Sequence, residues 1–237
     1  MSDLPAALFL NPVWTALQTD HRHFARVSGA AVRYPADVAP FAAIAEPITA
    51  ALCDLRTLLC ADEYVWIAAL GEADLAAAHL TLQTSINVLQ MVLPKDVTLP
   101  LVDPGIVALD CTDAPEMVAL TEVAFPGFFR RRTCEMGDYF GIRSGNNTDG
   151  ELIAMGGERL KFPGYSEISG LCTHPDHRGN GYAAQLIWHV AALQRSRGIV
   201  PWLHVTSTNQ NAVNLYQKLG FETVRSIKLS KLTRIVA

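Results

Sequence analysis

The segment Ser166 to Ala184, SEISGLCTHPDHRGNGYAA, constrains the fold more than any other part of the chain. It reads as a strand to about Thr173, a polar turn from His174 to Gly179, and the start of a long helix over about Asn180 to Arg197. That helix presents Ala183, Ile187, Val190 and Ala191 on one face, ends on Arg195 and Arg197, and is closed by Gly198. Gly179 and Gly181 let the backbone pass close to a ligand. The unpaired N–H groups of a helix start, aided by the helix dipole, suit a phosphate or pyrophosphate. Gly179-x-Gly181-x-x-Ala184 has the form of a dinucleotide fingerprint, but it begins several residues past the strand. The next strand, Trp202 to Thr206, also lacks the acidic residue that would bind a ribose. The Lys-Ser or Lys-Thr ending of a triphosphate-binding loop is absent as well.

The elements around this segment set its context. Leu93 to Gly105, LPKDVTLPLVDPG, has three prolines and a closing glycine, and the domain boundary is placed there, giving units 1–105 and 106–237. Before it, Ile48 to Leu59 reads as a helix, and Tyr64 to Leu70 and Leu80 to Leu93 as strands. His21 and His23 lack a nucleophile or metal-type spacing and read as surface residues. After it, Asp113 caps a helix over Ala114 to about Ala124, followed by the loop Pro126 to Arg132. Strands are expected at Tyr139 to Arg143, Leu152 to Leu160 and Trp202 to Thr206, a helix at Gln210 to Leu219, and a strand from Phe221 onward.

Of the 237 residues, half are hydrophobic and 18% charged, which excludes a disordered chain. Residues 1–118 carry 5 Lys and Arg against 14 Asp and Glu, a charge of about -9; residues 119–237 carry 14 against 9, about +5. The basic half suits an anionic ligand. The acidic half favours a cationic amine over nucleic acid. Five unclustered cysteines without CxxC spacing predict neither a disulfide framework nor a metal site. The short, acidic-flanked apolar run at the amino terminus is no signal peptide, and no stretch approaches the roughly 18 apolar residues of a spanning helix. A soluble, reduced, cytoplasmic protein without a membrane partner is expected.

Arg178, Gly181 and Ala183 form the pattern RxxGxA, eleven residues after Glu167. Together with Trp202-Leu-His-Val205, Asn209, Ala212 and Leu215-Tyr-Gln-Lys-Leu-Gly-Phe221, it resembles the GCN5-related N-acetyltransferase superfamily, in the branch called FR47-like. The resemblance covers about 125 residues, from Asp113 to the last strand. It implies an α/β (α+β) fold, a mixed and mostly antiparallel twisted sheet flanked by helices, with residues 1–105 a reduced copy of the same unit. That half would shape the acceptor pocket, complete the sheet, or carry the interface of a homodimer. The implied activity is transfer of an acetyl group from acetyl-CoA, a cosubstrate, to a primary amine of a small molecule or peptide in a ternary complex, with no metal.

The resemblance also implies site residues. Amides of Arg178, Gly179, Asn180, Gly181, Tyr182, Ala183 and Ala184 would hold the CoA pyrophosphate. The strand at Leu171, Cys172 and Thr173 would splay from Trp202 to Thr206 and pair with pantetheine, and Asn209 would meet the same arm. Tyr216 would protonate the departing thiolate, and either His204 or Glu167 would accept the amine proton. His204 shares a strand face with Trp202 and Thr206. Cys172 lacks the paired His and Asp of a nucleophile. His174 and His177 read as exposed turn residues, Arg130 to Arg132 as a solvated run, and Phe128 and Phe129 as lid residues beside the acceptor. The competing reading is a non-catalytic acyl-CoA-binding or regulatory module, which would need the cradle alone.

Overall fold

The computed structural model describes residues 9–235 except 62, 69, 72, 101–104, 125 and 147–149. The strands are β1 (Arg26–Ser28), β2 (Ala31–Arg33), β3 (Phe41–Ile44), β4 (Tyr64–Ala68), β5 (Leu80–Val92), β6 (Ile106–Leu109), β7 (Tyr139–Arg143), β8 (Leu152–Phe162), β9 (Tyr165–Thr173), β10 (Val200–Thr206) and β11 (Glu222–Arg234). The helices are α1 (Pro12–Gln18), α2 (Thr49–Thr57), α3 (Ala114–Ala124), α4 (Tyr182–Ser196) and α5 (Gln210–Lys218). Among the described residues all strands belong to one sheet, in the order β1-β2-β3-β4-β11-β5-β10-β9-β8-β7-β6. It is mixed and mostly antiparallel, as the sequence implies; β3 with β4 and β9 with β10 are its parallel pairs. No helix among the described residues is long and apolar enough to cross a membrane.

The two halves of the chain repeat one motif at different size. β1, β2 and β3 pair antiparallel in sequence order, as β7, β8 and β9 do. A helix then crosses over to a parallel neighbour, α2 to β4 and the longer α4 to β10. Each half then sends its last strand across to the other. β5, which follows β4 in sequence, pairs with β10; β11, which follows α5, pairs with β4. The exchanged strands pair with each other, from Glu222↔Val92 to Arg234↔Leu80.

The expected period-two pattern of β10 sets two layers. Leu203 and Val205 face Ile187, Val190 and Ala191 of α4 and Val213 of α5. On the opposite face Trp202 joins Val92, Leu160, Phe162, Phe41 and Trp66, with Val13, Ala16 and Leu17 of α1 closing the layer. Asn11 caps α1 by accepting from the Trp14 amide and donates to the Ile44 carbonyl, tying this helix to β3.

Three expectations need correction. The short elements α1, β1 to β3 and β6 were not predicted; runs of three or four residues carry too little periodicity to register. Cys111 and Cys134 are joined by a disulfide, their Cα atoms 5.6 Å apart, because the turn before α3 lies beside the 3₁₀ turn Thr133–Met136. His21 is buried, not on the surface. Its Nε2 donates to the Met136 carbonyl at 3.0 Å, so Nδ1 accepts from the Tyr34 hydroxyl at 2.8 Å.

Burial outweighs the carbonyl contact and lowers the His21 pKa to about 4 from 6.5. Because the folded value lies below the unfolded one, this stabilisation is complete above pH 6.5 and is lost as pH falls toward 4. The loss is about 3 kcal/mol. Urea unfolding between pH 7 and 4.5 should show this slope, and His21→Gln, which keeps a donor and an acceptor but does not titrate, should flatten it.

Candidate functional site

The parallel pairing of β9 and β10 runs through Val200↔Tyr165, Pro201↔Ser166 and Trp202↔Glu167 and then stops. Beyond it β9 stays bonded to β8 and β10 to β5, so the two strands diverge as a wedge. A bulge on β9, with Gly170 at φ +65°, places the two residues Gly170 and Leu171 against one on β8 and turns the strand away. The wedge edge of β9 from Ile168 to Thr173 thus carries backbone groups with no strand beside them.

A cavity of about 510 Å³ fills the wedge. At one end stand Arg178 to Ala184, where Gly179 and Gly181 have φ of +85° and +77°, a conformation that favours glycine. Gly181 is the N-cap of α4 and supplies no side-chain acceptor, so the first-turn amides point outward unpaired. Asn209 caps α5 by accepting from the Ala212 amide at 3.2 Å. Its amide group stands at the same end, beside Ala212, Leu215 and Tyr216.

Tyr216 lines the cavity. Burial pushes its phenol up to about 12, so it carries its proton at neutral pH. His204 also lines the cavity. Its Nδ1 is 2.8 Å from Glu167 Oε1, and its Nε2 is 3.1 Å from the Gln90 amide nitrogen, which donates at 2.9 Å to the Phe9 carbonyl. A carbonyl only accepts, so the Gln90 nitrogen is correctly turned toward it and is a donor to His204. The imidazole is therefore the neutral Nδ1–H tautomer, with its lone pair on Nε2.

Glu167 lies beneath the wall and is fully buried. A bulge on β8 at Arg159 and Leu160 brings the Arg159 guanidinium onto it, at 2.9 Å from Nε and 2.7 Å from Nη2. Burial pushes this carboxyl up, but the Arg159 charge and the hydrogen bonds from His204 and Arg159 outweigh it and hold it at about 2. Arg159 reaches the cavity and lies over the Phe41 ring at 4.8 Å.

The other end of the cavity comes largely from the first half of the chain and from β11: Pro12, Val13, Phe41, Ala68, Ile86, Val88 and Leu229, with Phe128. Phe128 stacks on Phe41 and Trp66, whereas Phe129 sits deeper, against Tyr139. The acidic excess of residues 1–118 does not reach this wall: among the described lining residues none is Asp or Glu.

Of the sequence-derived set, Leu171, Cys172, Thr173, Arg178 to Ala184, His204, Asn209 and Tyr216 line one cavity. Glu167 does not line it and instead holds His204 from behind. Burial raises the Cys172 thiol to about 12, which suits packing and not attack. His174 and His177 are half-buried, and His177 borders the cradle. Arg132 pairs with Asp37 and Glu135, and Arg130 donates to the Tyr64 hydroxyl, away from the cavity. Sequence reasoning missed Arg159 and Gln90. Gln90 left a signal, a lone polar side chain within Val88-Leu-Gln-Met-Val-Leu93, which needs buried partners.

A family model described as the Acetyltransferase (GNAT) family matches residues 115–221. The chain is 35% identical to a GNAT-family protein of solved structure from Novosphingobium aromaticivorans, over 95% of this chain and 98% of that one, with a TM-score of 0.84. It shares its fold with a GCN5-related N-acetyltransferase from Kribbella flavida (19% identity, 95% of each chain, TM-score 0.62). The same holds for a tandem GNAT protein of clavulanic acid biosynthesis (16% identity, 90% of this chain and 80% of that one, TM-score 0.56). No curated protein matches the chain.

Two outcomes follow from this geometry. Arg159→Met should lower stability by roughly 3 to 5 kcal/mol in urea unfolding, because it leaves a buried carboxylate unpaired. Arg159→Met combined with Glu167→Leu should recover most of that loss. In a thiol titration of the native protein, exposed Cys53 and Cys60 should react promptly and Cys172 only on unfolding.

Proposed function

The chain belongs to the GNAT family of acetyltransferases, and from that premise we propose that it transfers the acetyl group of acetyl-CoA to a primary amine by direct attack within a ternary complex. The observation that carries this reading is the wedge between β9 and β10, which ends on an uncapped helix start and has an imidazole and a phenol on its walls. Residues 106–237 supply the transfer machinery, and residues 1–105 supply a partner half that closes the acceptor end.

The residues present suit the cosubstrate. The amides of Gly179 to Ala184 hold its pyrophosphate, with Arg178 beside them. The free edge of β9 at Leu171, Cys172 and Thr173 pairs with the amide groups of its pantetheine arm, and the Asn209 amide meets the same arm. A backbone N–H at Leu171 or Cys172 faces the thioester carbonyl and stabilises the charge that develops on its oxygen. When bound, acetyl-CoA supplies the activated acyl group.

His204 takes the proton from the amine at Nε2, giving up the weaker of its two hydrogen bonds, that from Gln90. The imidazolium formed is stabilised by Glu167, which stays ionised across the physiological range. Glu167 is therefore a positioning residue: it fixes the tautomer and compensates the charge. Tyr216 keeps its proton until the C–S bond breaks and then delivers it to the thiolate.

Thiol release from acetyl-CoA should be seen with at least one member of a panel of alkyl and aryl amines, polyamines, amino acids, aminoglycosides and peptide amino termini. No turnover with any of them, together with a CoA-induced rise in Tm, would leave a binding module instead. Tyr216→Phe should lower kcat by about 100-fold or more with little change in CoA affinity. His204→Gln should lower kcat/KM by a similar factor. Unchanged turnover in either variant would remove that residue from its role.

A further inference from the structure

Resting on the transferase reading, we propose that the acceptor is a monoamine bearing an apolar group, aromatic or branched aliphatic, and no second positive charge. The apolar group would sit against Phe41, Ile86, Val88, Phe128 and Leu229, opposite the CoA cradle. Three features of this end of the cavity point the same way.

The first is the wall itself. β5 places Ile86 and Val88 on the face shared with His204 and Thr206, through the register Val88↔Thr206 and Gln90↔His204. β11 adds Leu229, directly across from Ile86. Phe41 and Phe128 line the same cavity, with Phe128 stacked on both Phe41 and Trp66. Such a surface gains by covering apolar area and gives an ammonium no hydrogen-bond acceptor, and the Phe41 ring is already engaged by the Arg159 guanidinium.

The second is charge. Polyamines and aminoglycosides carry several ammonium groups, and each one brought into a closed site needs a carboxylate. Among the described lining residues there is no Asp or Glu. The nearest carboxylate, Glu167, is buried behind the wall and committed to Arg159 and His204. The third is the orientation of the one ion pair at this end: Arg159 lines the cavity and its partner Glu167 does not, so the pair turns its cationic side to the ligand.

The test compares matched amines by thiol release: ethylamine, isoamylamine, 2-phenylethylamine, putrescine, spermidine and an aminoglycoside. 2-Phenylethylamine and isoamylamine should exceed ethylamine in kcat/KM by at least tenfold, and putrescine and spermidine should fall below ethylamine. Equal or better turnover of the polyamines or the aminoglycoside would overturn the inference and leave the transferase reading intact. Silence with these six amines alongside turnover of an amino acid or a peptide amino terminus would also overturn the inference, and silence with the wider panel would sink the transferase reading itself. Ile86→Glu should lower kcat/KM for 2-phenylethylamine at least tenfold and narrow its advantage over putrescine. The CoA-induced rise in Tm checks that the variant is folded with an intact cradle, and the milder Leu229→Asn should act in the same direction. If both variants bind CoA normally and keep the wild-type preference, the acceptor does not lie on this wall.

Discussion

The pairing of β5 with β11 is the constraint on which the rest depends. Each strand belongs by sequence to one half and by neighbour to the other, so neither half completes its sheet alone. The exchange buries apolar residues on both faces, Met91 and Leu203 on one and Val92 and Trp202 on the other. A covering helix alone would leave those edges open, and an unpaired edge within a sheet is a site for misassociation. The exchange also has a local result. It carries Ile86 and Val88 from the first half of the chain onto the wall of a cavity that β9, β10, α4 and α5 of the second half also line, with Gln90 behind His204. The cavity is therefore a product of the two halves together.

Along one wall of that cavity runs a row of four polar side chains, Arg159, Glu167, His204 and Gln90, drawn from β8, β9, β10 and β5, of which Arg159 and His204 reach the cavity and the other two lie behind. Each depends on the next. Without Arg159 the Glu167 carboxylate would be buried without a countercharge, and it would take up a proton. A protonated Glu167 could donate to His204 Nδ1, which would move the imidazole proton to Nε2 and remove the lone pair needed there. Gln90 acts from the other side, since its amide nitrogen is turned toward the Phe9 carbonyl and donates to Nε2. The imidazole is thus held in one tautomer from both ends. The reason for a β8 bulge at Arg159 is then chemical as well as geometric, because it brings the guanidinium onto a carboxylate that a regular ladder would leave on its own.

The parts of this arrangement that were legible in the sequence are those encoded locally. The strand, turn and helix of Ser166 to Ala184 are a contiguous signal, and so is the helix expected at Gln210 to Leu219; both lie where the sequence puts them. Alternation along Trp202 to Thr206 correctly put His204 on the face with Trp202. What was illegible depends on contacts between distant segments. The strands of three or four residues in the first half are strands because of their neighbours, since so few residues carry little pattern of their own. Nothing near His21 in sequence reveals that Tyr34 and Met136 will enclose it, and 23 residues separate the two cysteines that meet. Glu167 and His204 were indistinguishable as bases because both sit on adjacent strands. Arg159, which pairs with Glu167 and helps keep it ionised, is delivered by a bulge that has no sequence signature here. Charge summed over residues 1–118 misled in the same way, because a sum does not say which side chains line a wall.

The apolar wall and the phenol of Tyr216 are two consequences of one environment. Removing water disfavours the charged form of any group, so it raises the pKa of a phenol and lowers that of an ammonium. For Tyr216 the effect is visible, with the phenol pushed up to about 12, which keeps its proton in place until a thiolate needs it. An amine brought against Phe41, Ile86 and Val88 experiences the same loss of water with the opposite sign, and its neutral, nucleophilic form becomes easier to reach. Less basicity is then required of His204, and a 3.1 Å hydrogen bond to its Nε2 is a small barrier. An acceptor with several ammonium groups would gain none of this, since its further charges would hold water in the cavity and weaken both effects. The proposed preference for an apolar monoamine and the proposed acid-base pair are therefore linked, because a wall that selected such a substrate would also set the proton affinities on which transfer depends.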